Sequence, residues 1–400
     1  MTQIVSEAMA RSMEGSSMIR RLFEEGARLK ALHGAEAVHD FSLGNPMLEP
    51  PARFREALLE LLKPGRPGLH RYIPNAGLPE VREYVAAELK AETGLPFAMP
   101  HVVMVCGAGG GLNVVFKAML NPGDEVISPA PYFVEYDAYA SNHGGKLVRA
   151  RTLPDFQLDL GTLDAAVTPR TRAVILNSPN NPTGVVYPEP ALRACADWLR
   201  QASRRIGRPI FLVSDEPYRK IAFDGLQVPS VLPLYEHSIV VTSHSKDLGL
   251  AAERIGYIAV HPAAAEAETL GNALVLANRI LGFVNAPALM QRVLPLLKGE
   301  SVDVSRYQAL RDHMLPALEA MGYRCVRPQG AFYLFPRSPI ADDVAFCRAA
   351  QEELLLIVPG SAFHGPGHFR IALCVEEAVI DRALPVFEKV LKRVRTGAST

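Results

Sequence analysis

The sequence predicts an α/β protein: a large domain whose mostly parallel sheet is covered by helices on both faces, joined to a smaller α+β domain. Three observations carry this. Apolar runs of strand length recur between residues 102 and 260, and helical patterns separate several of them. Beyond about Gly299 the alternation gives way to long helical patterns with isolated strand patterns. At 400 residues the chain is also too long for one small core.

A helix is expected over 17–32, where Met18, Ile19, Leu22, Phe23 and Leu29 make an apolar face and Ser16 or Ser17 can cap the start. An extended piece, Val38 to Pro46, turns at Gly44-Asn45-Pro46, and Pro50-Pro51 reads as a boundary. Helical patterns at 52–62 and 78–92 enclose an irregular stretch, Arg71 to Gly77. Strand-like runs then appear at 102–106, 125–128, 173–177, 210–214, 239–243 and 255–260. Helices are expected at 112–120, 190–203 and 263–273. The last part reads as a helix over 304–321 jogged at Pro316, a strand over 330–335 and a helix over 344–353. A strand over 369–374 and a closing helix over 377–393 complete it. The expected division is 1–50 as an N-terminal segment joining the small domain, 51–299 as the large domain and 300–400 as the small C-terminal domain.

Composition removes several function classes. Lys plus Arg and Asp plus Glu number 42 each, so no net basic field points to nucleic acid or a membrane surface. The five cysteines form no C-x-x-C pair, which argues against a disulfide framework or zinc knuckle and fits a reducing cytoplasm. No apolar run reaches the roughly 18 residues of a membrane span, and the N-terminus has no signal-peptide pattern.

Chemistry gathers at the carboxyl ends of the predicted strands, where open α/β sheets bind ligands. Cys106-Gly-Ala-Gly-Gly-Gly111 opens a helix and offers backbone N–H groups to an anion. It fits neither a dinucleotide fingerprint, since Leu112 stands where the third glycine belongs, nor a P-loop, since no Gly-Lys-Ser/Thr follows. Pro129-Ala-Pro-Tyr-Phe133 holds an aromatic beside that loop, and Asn177-Ser-Pro-Asn-Asn-Pro-Thr-Gly184 presents amides at a fixed turn. Asp215, in Ser214-Asp-Glu-Pro-Tyr218, is a carboxylate at a buried strand end that needs a cation or strong donor, and no His or Cys lies at metal-ligand spacing nearby. Ser243-His-Ser-Lys246 delivers a lysine from a strand into a small-residue loop, with Arg254 eight positions on. One ligand answers a phosphate cradle, a stacking aromatic, a phenol, a carboxylate and a lysine together: pyridoxal 5'-phosphate.

At these residues the chain resembles the class I/II aminotransferases of the aspartate aminotransferase family, fold type I, over nearly its whole length. The matching stretches are Ser42 to Pro46, Tyr72 to Gly77, Pro122 to Val126, Asn180 to Gly184, Asp215 to Tyr218 and Ser243 to Lys246, then Arg254 to Gly256, Pro328 to Tyr333 and Phe369 to Ile371. The resemblance implies a seven-stranded, mostly parallel sheet between helices plus a small α+β domain. It also implies that Lys246 holds the cofactor as an imine and shuttles a proton, and that Asp215 pairs with the protonated ring nitrogen. Asn181 and Tyr218 would bond the ring hydroxyl, and Tyr132 would stack on the ring. Ala108 and Gly109 would give backbone N–H groups to the phosphate, with Ser243, Ser245 and Arg254 binding it through side chains. Tyr72 would reach the phosphate of a neighbouring subunit in a homodimer. Arg370 would clamp the substrate α-carboxylate, helped by Asn181 and the backbone at Gly44.

Two departures stand out. Many relatives carry serine, threonine or an amide where this chain has Ala108 to Gly111, so phosphate binding there would rest on backbone groups. Asp247 to Glu253 also lacks the aromatic-Gly-Trp often found before the arginine. The expected activity is transfer of an amino group between an amino acid, aspartate-like by preference, and a 2-oxo acid such as 2-oxoglutarate. Arg279 is the candidate for a distal carboxylate. A lyase, decarboxylase or synthase on the same cofactor is the alternative, and a non-catalytic ligand-sensing module is disfavoured because no basic helix-turn-helix region precedes the motifs.

Overall fold

The computed structural model describes residues 4–7, 9–10, 18–63 and 68–396, so the proposed caps Ser16 and Ser17 lie outside the described residues. It divides into two compact units: Met1–Asn45, Ala309–Arg327 and Phe332–Thr400 form the smaller, Pro46–Gln308 and Pro328–Ala331 the larger. The expected cuts at 50 and 300 thus fall near 45 and 308, and residues 328–331 return to the larger unit. Hydrogen bonds account for that return: Gly330 N–H donates to the Gly184 carbonyl and Ala331 N–H to the Ile221 carbonyl.

In chain order the first elements are helix α1 (Met18–His33) and strand β1 (His39–Asp40), both in the smaller unit. Helices α2 (Ala52–Leu61) and α3 (Pro79–Thr93) open the larger unit. Its strands are β2 (Val102–Val105), β3 (Glu125–Ala130), β4 (Lys146–Arg151), β5 (Thr171–Asn177), β6 (Phe211–Asp215), β7 (Ser238–Ser243) and β8 (Gly256–Val260). The intervening helices are α4 (Gly107–Met119), α5 (Glu135–Ser141), α6 (Leu160–Ala166) and α7 (Glu189–Ile206), with α8 (Ala267–Ile280) following the sheet.

The seven strands form one sheet in the order β2-β8-β7-β6-β5-β3-β4. Every pairing is parallel except the two made by β8, which runs antiparallel to β2 and β7. Central strands read as apolar runs because both faces are covered; in β5 every residue from Ala173 to Asn177 is buried. Strand β4 escaped the sequence reading. It is one edge of the sheet, its three charged residues Lys146, Arg149 and Arg151 are exposed, and charge on an edge blunts unwanted pairing. Helix α7 shows the opposite behaviour, burying Leu192, Cys195, Ala196, Leu199 and Ala202 as one face at helical spacing.

Topology positions the site. Strands β3, β5, β6 and β7 run the same way, and β2, antiparallel to β8 as β7 is, shares that direction. Their carboxyl ends therefore share one edge of the sheet. Strand β8 runs against them and so starts at that edge, which brings Arg254, two residues before it, to the same place.

Helix α9 (Ala288–Val293) still belongs to the larger unit; α10 (Val304–Met321), with Pro316 inside it, starts in the larger unit and passes into the smaller one at Ala309. Short strands β9 (Tyr333–Leu334), β10 (Leu355–Leu356), β11 (Val358–Pro359) and β12 (Phe369–Ala372) follow, with α11 (Asp343–Glu352) and α12 (Glu377–Thr396). Strand β12 pairs antiparallel with β11 and β9, while β1 pairs parallel with β10. Among the described residues no helix is long and apolar enough to cross a membrane, and no cluster of three His, Cys, Asp or Glu could hold a metal.

Candidate active site

Register brings the key strand ends side by side: Asn177 at the end of β5 is paired with Asp215 at the end of β6. The Asn177 side chain works both ways. Its Nδ2 donates to the Asp215 carbonyl at 2.9 Å, and its Oδ1 accepts the Asn181 N–H at 2.7 Å. Asn180 Oδ1 closes the next turn by accepting Thr183 N–H and Oγ1, at 3.1 and 2.8 Å. Asn181 is thus presented from a rigid, buried loop.

Asp215 is 4% exposed. Its Oδ2 accepts the Tyr136 hydroxyl at 2.5 Å, while its Oδ1 is buried without a partner. Burial is the main reason its carboxyl is pushed up to about 7; the Glu216 charge adds to this and the Tyr136 bond works against it. A buried carboxylate oxygen with nothing to accept is the signature of a missing donor or cation.

At the end of β7, Ser243 Oγ lies 3.0 Å from Ser245 Oγ, with Lys246 next along. Lys246 Nζ lies 5.9 Å from the centre of the buried Tyr218 ring. Across the edge, Arg254 has a left-handed backbone (φ 54°), with Nη1 donating to the Ala251 carbonyl at 2.9 Å. The guanidinium faces the start of α4: a Cβ on Gly107 would come 2.6 Å from Arg254 Nη2. Gly107 itself has φ +70°, a backbone that favours glycine, and any side chain there would push the Arg254 guanidinium aside.

The glycine stretch, expected as a loop before a helix at Leu112, is itself the first turn of α4. Its first N–H groups have no intrahelical acceptors and Arg254 faces them, an arrangement that suits an anion. Both tests of pyridoxal phosphate therefore succeed: an open buried oxygen suits a protonated ring nitrogen, and a side-chain-free cradle suits a phosphate.

Tyr132 is placed differently from the expectation. It is fully buried, and its hydroxyl donates to Asp137 at 2.6 Å while accepting from Arg149 Nε at 2.8 Å. Its ring lies parallel to Tyr136 with centroids 6.0 Å apart. The neighbouring Phe133 is only half-buried and meets the Tyr136 ring edge-on at 5.7 Å. Tyr136 is the contributor that sequence reasoning passed over; its place just after the proline-held aromatics Tyr132 and Phe133 was the available signal.

Tyr72 is in the larger unit and 90% exposed. Gly44 and Arg370 belong to the smaller unit. There Arg370 is buried between two rings, its guanidinium carbon 4.7 Å from the centre of Tyr333 and 4.6 Å from that of Phe363, and Nη2 donates to the Ser42 carbonyl at 2.6 Å. The Tyr333 hydroxyl sits where a Cβ on Gly44 would be, so this backbone is approached closely. Arg279 is exposed in the last turn of α8.

Residues 36–387 match the family described as Aminotransferase class I and II. A probable aspartate/prephenate aminotransferase of Thermus aquaticus is 35% identical over 361 residues, covering 87% of this chain and 90% of that protein. The aspartate/prephenate aminotransferase of Thermus thermophilus is 34% identical, covering 88% and 90%. Among solved structures, an amino transferase from Eubacterium rectale superposes with a TM-score of 0.95 at 38% identity, covering 98% of this chain and 99% of that one. Aspartate aminotransferase from Thermus thermophilus with maleate gives 0.84 at 28% identity, covering 97% and 100%. The chain belongs to the class I and II aminotransferases, with their fold type I architecture, and is a pyridoxal-phosphate-dependent transaminase.

Proposed function

We propose that the amino donor is aspartate or a close dicarboxylic relative, that 2-oxoglutarate is an acceptor, and that the working enzyme is a cytoplasmic homodimer. The names of the relatives support the donor, as does the maleate held by the Thermus thermophilus enzyme. Asp215 is the observation that carries the site: a buried carboxylate, engaged on one oxygen and open on the other, at the common strand edge.

Bound pyridoxal phosphate supplies a carbonyl that joins amines and a ring that draws electrons from the α-carbon. This chain's residues do the rest. Lys246 Nζ holds the cofactor and carries the proton to and from the α-carbon, as the catalytic residue. Asp215, oriented by Tyr136 and Asn177, keeps the ring nitrogen protonated. Asn181 and Tyr218 hold the ring hydroxyl. The N–H groups of Ala108 and Gly109, with Ser243, Ser245, Arg254 and a neighbour's Tyr72, hold the phosphate. Phe133, half-exposed beside Tyr136, replaces Tyr132 as the ring-stacking aromatic. Arg370 takes the α-carboxylate bidentately with help from Gly44 and Asn181, its own orientation fixed by Tyr333, Phe363 and the Ser42 carbonyl. Arg279 is the candidate for a distal carboxylate.

A panel of amino donors against 2-oxoglutarate tests the donor: aspartate is expected to give the highest kcat/KM, and a preference for alanine or aromatic donors would overturn the choice. Lys246→Ala is expected to lose turnover and the visible absorbance of the bound cofactor while remaining folded by circular dichroism. Sustained multiple turnover in that variant would sink the mechanism.

A further inference from the structure

Gly109 stands in the first turn of α4 without a left-handed φ, so its backbone does not demand glycine. What excludes a side chain is a neighbour: a Cβ at Gly109 would come 2.8 Å from the hydroxyl of Tyr139, on α5. We propose that Tyr139 is a further ligand of the cofactor phosphate, its hydroxyl standing where Gly109 offers no side chain. The inference rests on the pyridoxal phosphate reading and deepens it.

Three observations converge on this assignment. Tyr136 and Tyr139 are one turn apart on the same face of α5. Tyr136 reaches Asp215, at the ring-nitrogen end of the site, and Tyr139 reaches the glycine turn, at the phosphate end. One short helix thus lays two phenols along the length of the ligand. Among the described residues no protein group hydrogen-bonds the Tyr139 hydroxyl, although the side chain is half-buried. Burial, with the charges of Glu135 and Asp215, also raises its pKa, so near neutral pH it remains a protonated donor facing an anion site. The sequence departure at Ala108 to Gly111 then has a structural counterpart: a hydroxyl absent from the loop arrives from a different helix.

The test uses the enzyme freed of cofactor and titrated by absorbance with pyridoxal phosphate and, separately, with unphosphorylated pyridoxal. Losing a hydrogen bond to a charged group is expected to weaken pyridoxal phosphate binding about tenfold or more in Tyr139→Phe. Pyridoxal affinity should not change. Gly109→Ser alone, which crowds Tyr139, should weaken the phosphorylated ligand. Adding Gly109→Ser to Tyr139→Phe should restore a hydroxyl at the same spot and recover much of the loss. Unchanged pyridoxal phosphate affinity in Tyr139→Phe would overturn the proposal, and so would an equal loss for both ligands, which marks simple packing. A parent protein that binds neither ligand would instead overturn the cofactor reading itself.

Discussion

Asp215 couples the site to pH. The folded carboxyl holds its proton up to about 7, whereas an unfolded aspartate releases it near 4. Between those values the folded state binds more protons than the unfolded one. The contribution of this group to stability is therefore full below about pH 4 and declines as pH rises toward about 7. Asp215→Asn removes that decline. Without cofactor, the melting temperature of Asp215→Asn relative to the parent is expected to climb by about 2 °C or more between about pH 5 and about pH 8. With pyridoxal phosphate the order reverses, because a ring cation rewards the ionised carboxylate that Asn lacks. A relative melting temperature that stays flat with pH would refute the assignment. Asp215 was legible from sequence because a carboxylate ends an apolar run, where burial demands a partner for it. Tyr136 was not, since a tyrosine in a short helix resembles core packing until its hydroxyl is seen 2.5 Å from Asp215. Tyr132 and Phe133 are adjacent and both aromatic; only the burial of one and the half-exposure of the other separate them.

Helix α4 shows how an element's role can be visible while its bounds are not. Five residues, Gly107 to Gly111, read as a loop because glycine is a poor helix former and the apolar pattern begins only at Leu112. The helix nevertheless starts at Gly107. Each glycine there answers to a different neighbour: Arg254 at Gly107, Tyr139 at Gly109, Val241 at Gly111. Gly110 is the exception, as a Cβ would make only ordinary contacts with Cys106 and Phe283, the closer at 3.4 Å. The two ends of this set predict opposite results in urea unfolding. Gly107→Ala should cost about 1–3 kcal/mol, since it forces a left-handed backbone and displaces Arg254. Gly110→Ala should be neutral or gain up to about 1 kcal/mol from helix propensity. Equal stabilities for the two variants would show that the first turn is looser than its contacts indicate. Strand β4 was missed for a complementary reason: an edge strand needs no continuous apolar run, so its pattern is set by solvent on its exposed flank.

For the whole molecule, sequence order concealed how the chain is shared between units: Ser42, Gly44, Tyr333 and Arg370 gather in the smaller one from both ends of the chain, which no local pattern predicts. Tyr72 raises the same question between chains. It is an aromatic in a family-matching stretch, 90% exposed in the single chain, and proposed to complete a neighbour's phosphate site. Mixed dimers test this directly. One chain carries Lys246→Ala with Tyr72 intact, and the other carries Tyr72→Phe with Lys246 intact. If Tyr72 serves the neighbour, the only site with a lysine in the mixed dimer also receives an intact Tyr72. Its cofactor affinity should match the parent's, while the Tyr72→Phe homodimer binds pyridoxal phosphate about tenfold more weakly. If Tyr72 acts within its own chain, that site keeps the phenylalanine and the mixed dimer is as weak as the homodimer. Sedimentation of the parent provides the necessary control, since a monomer at working concentration would exclude the shared site before any variant is compared.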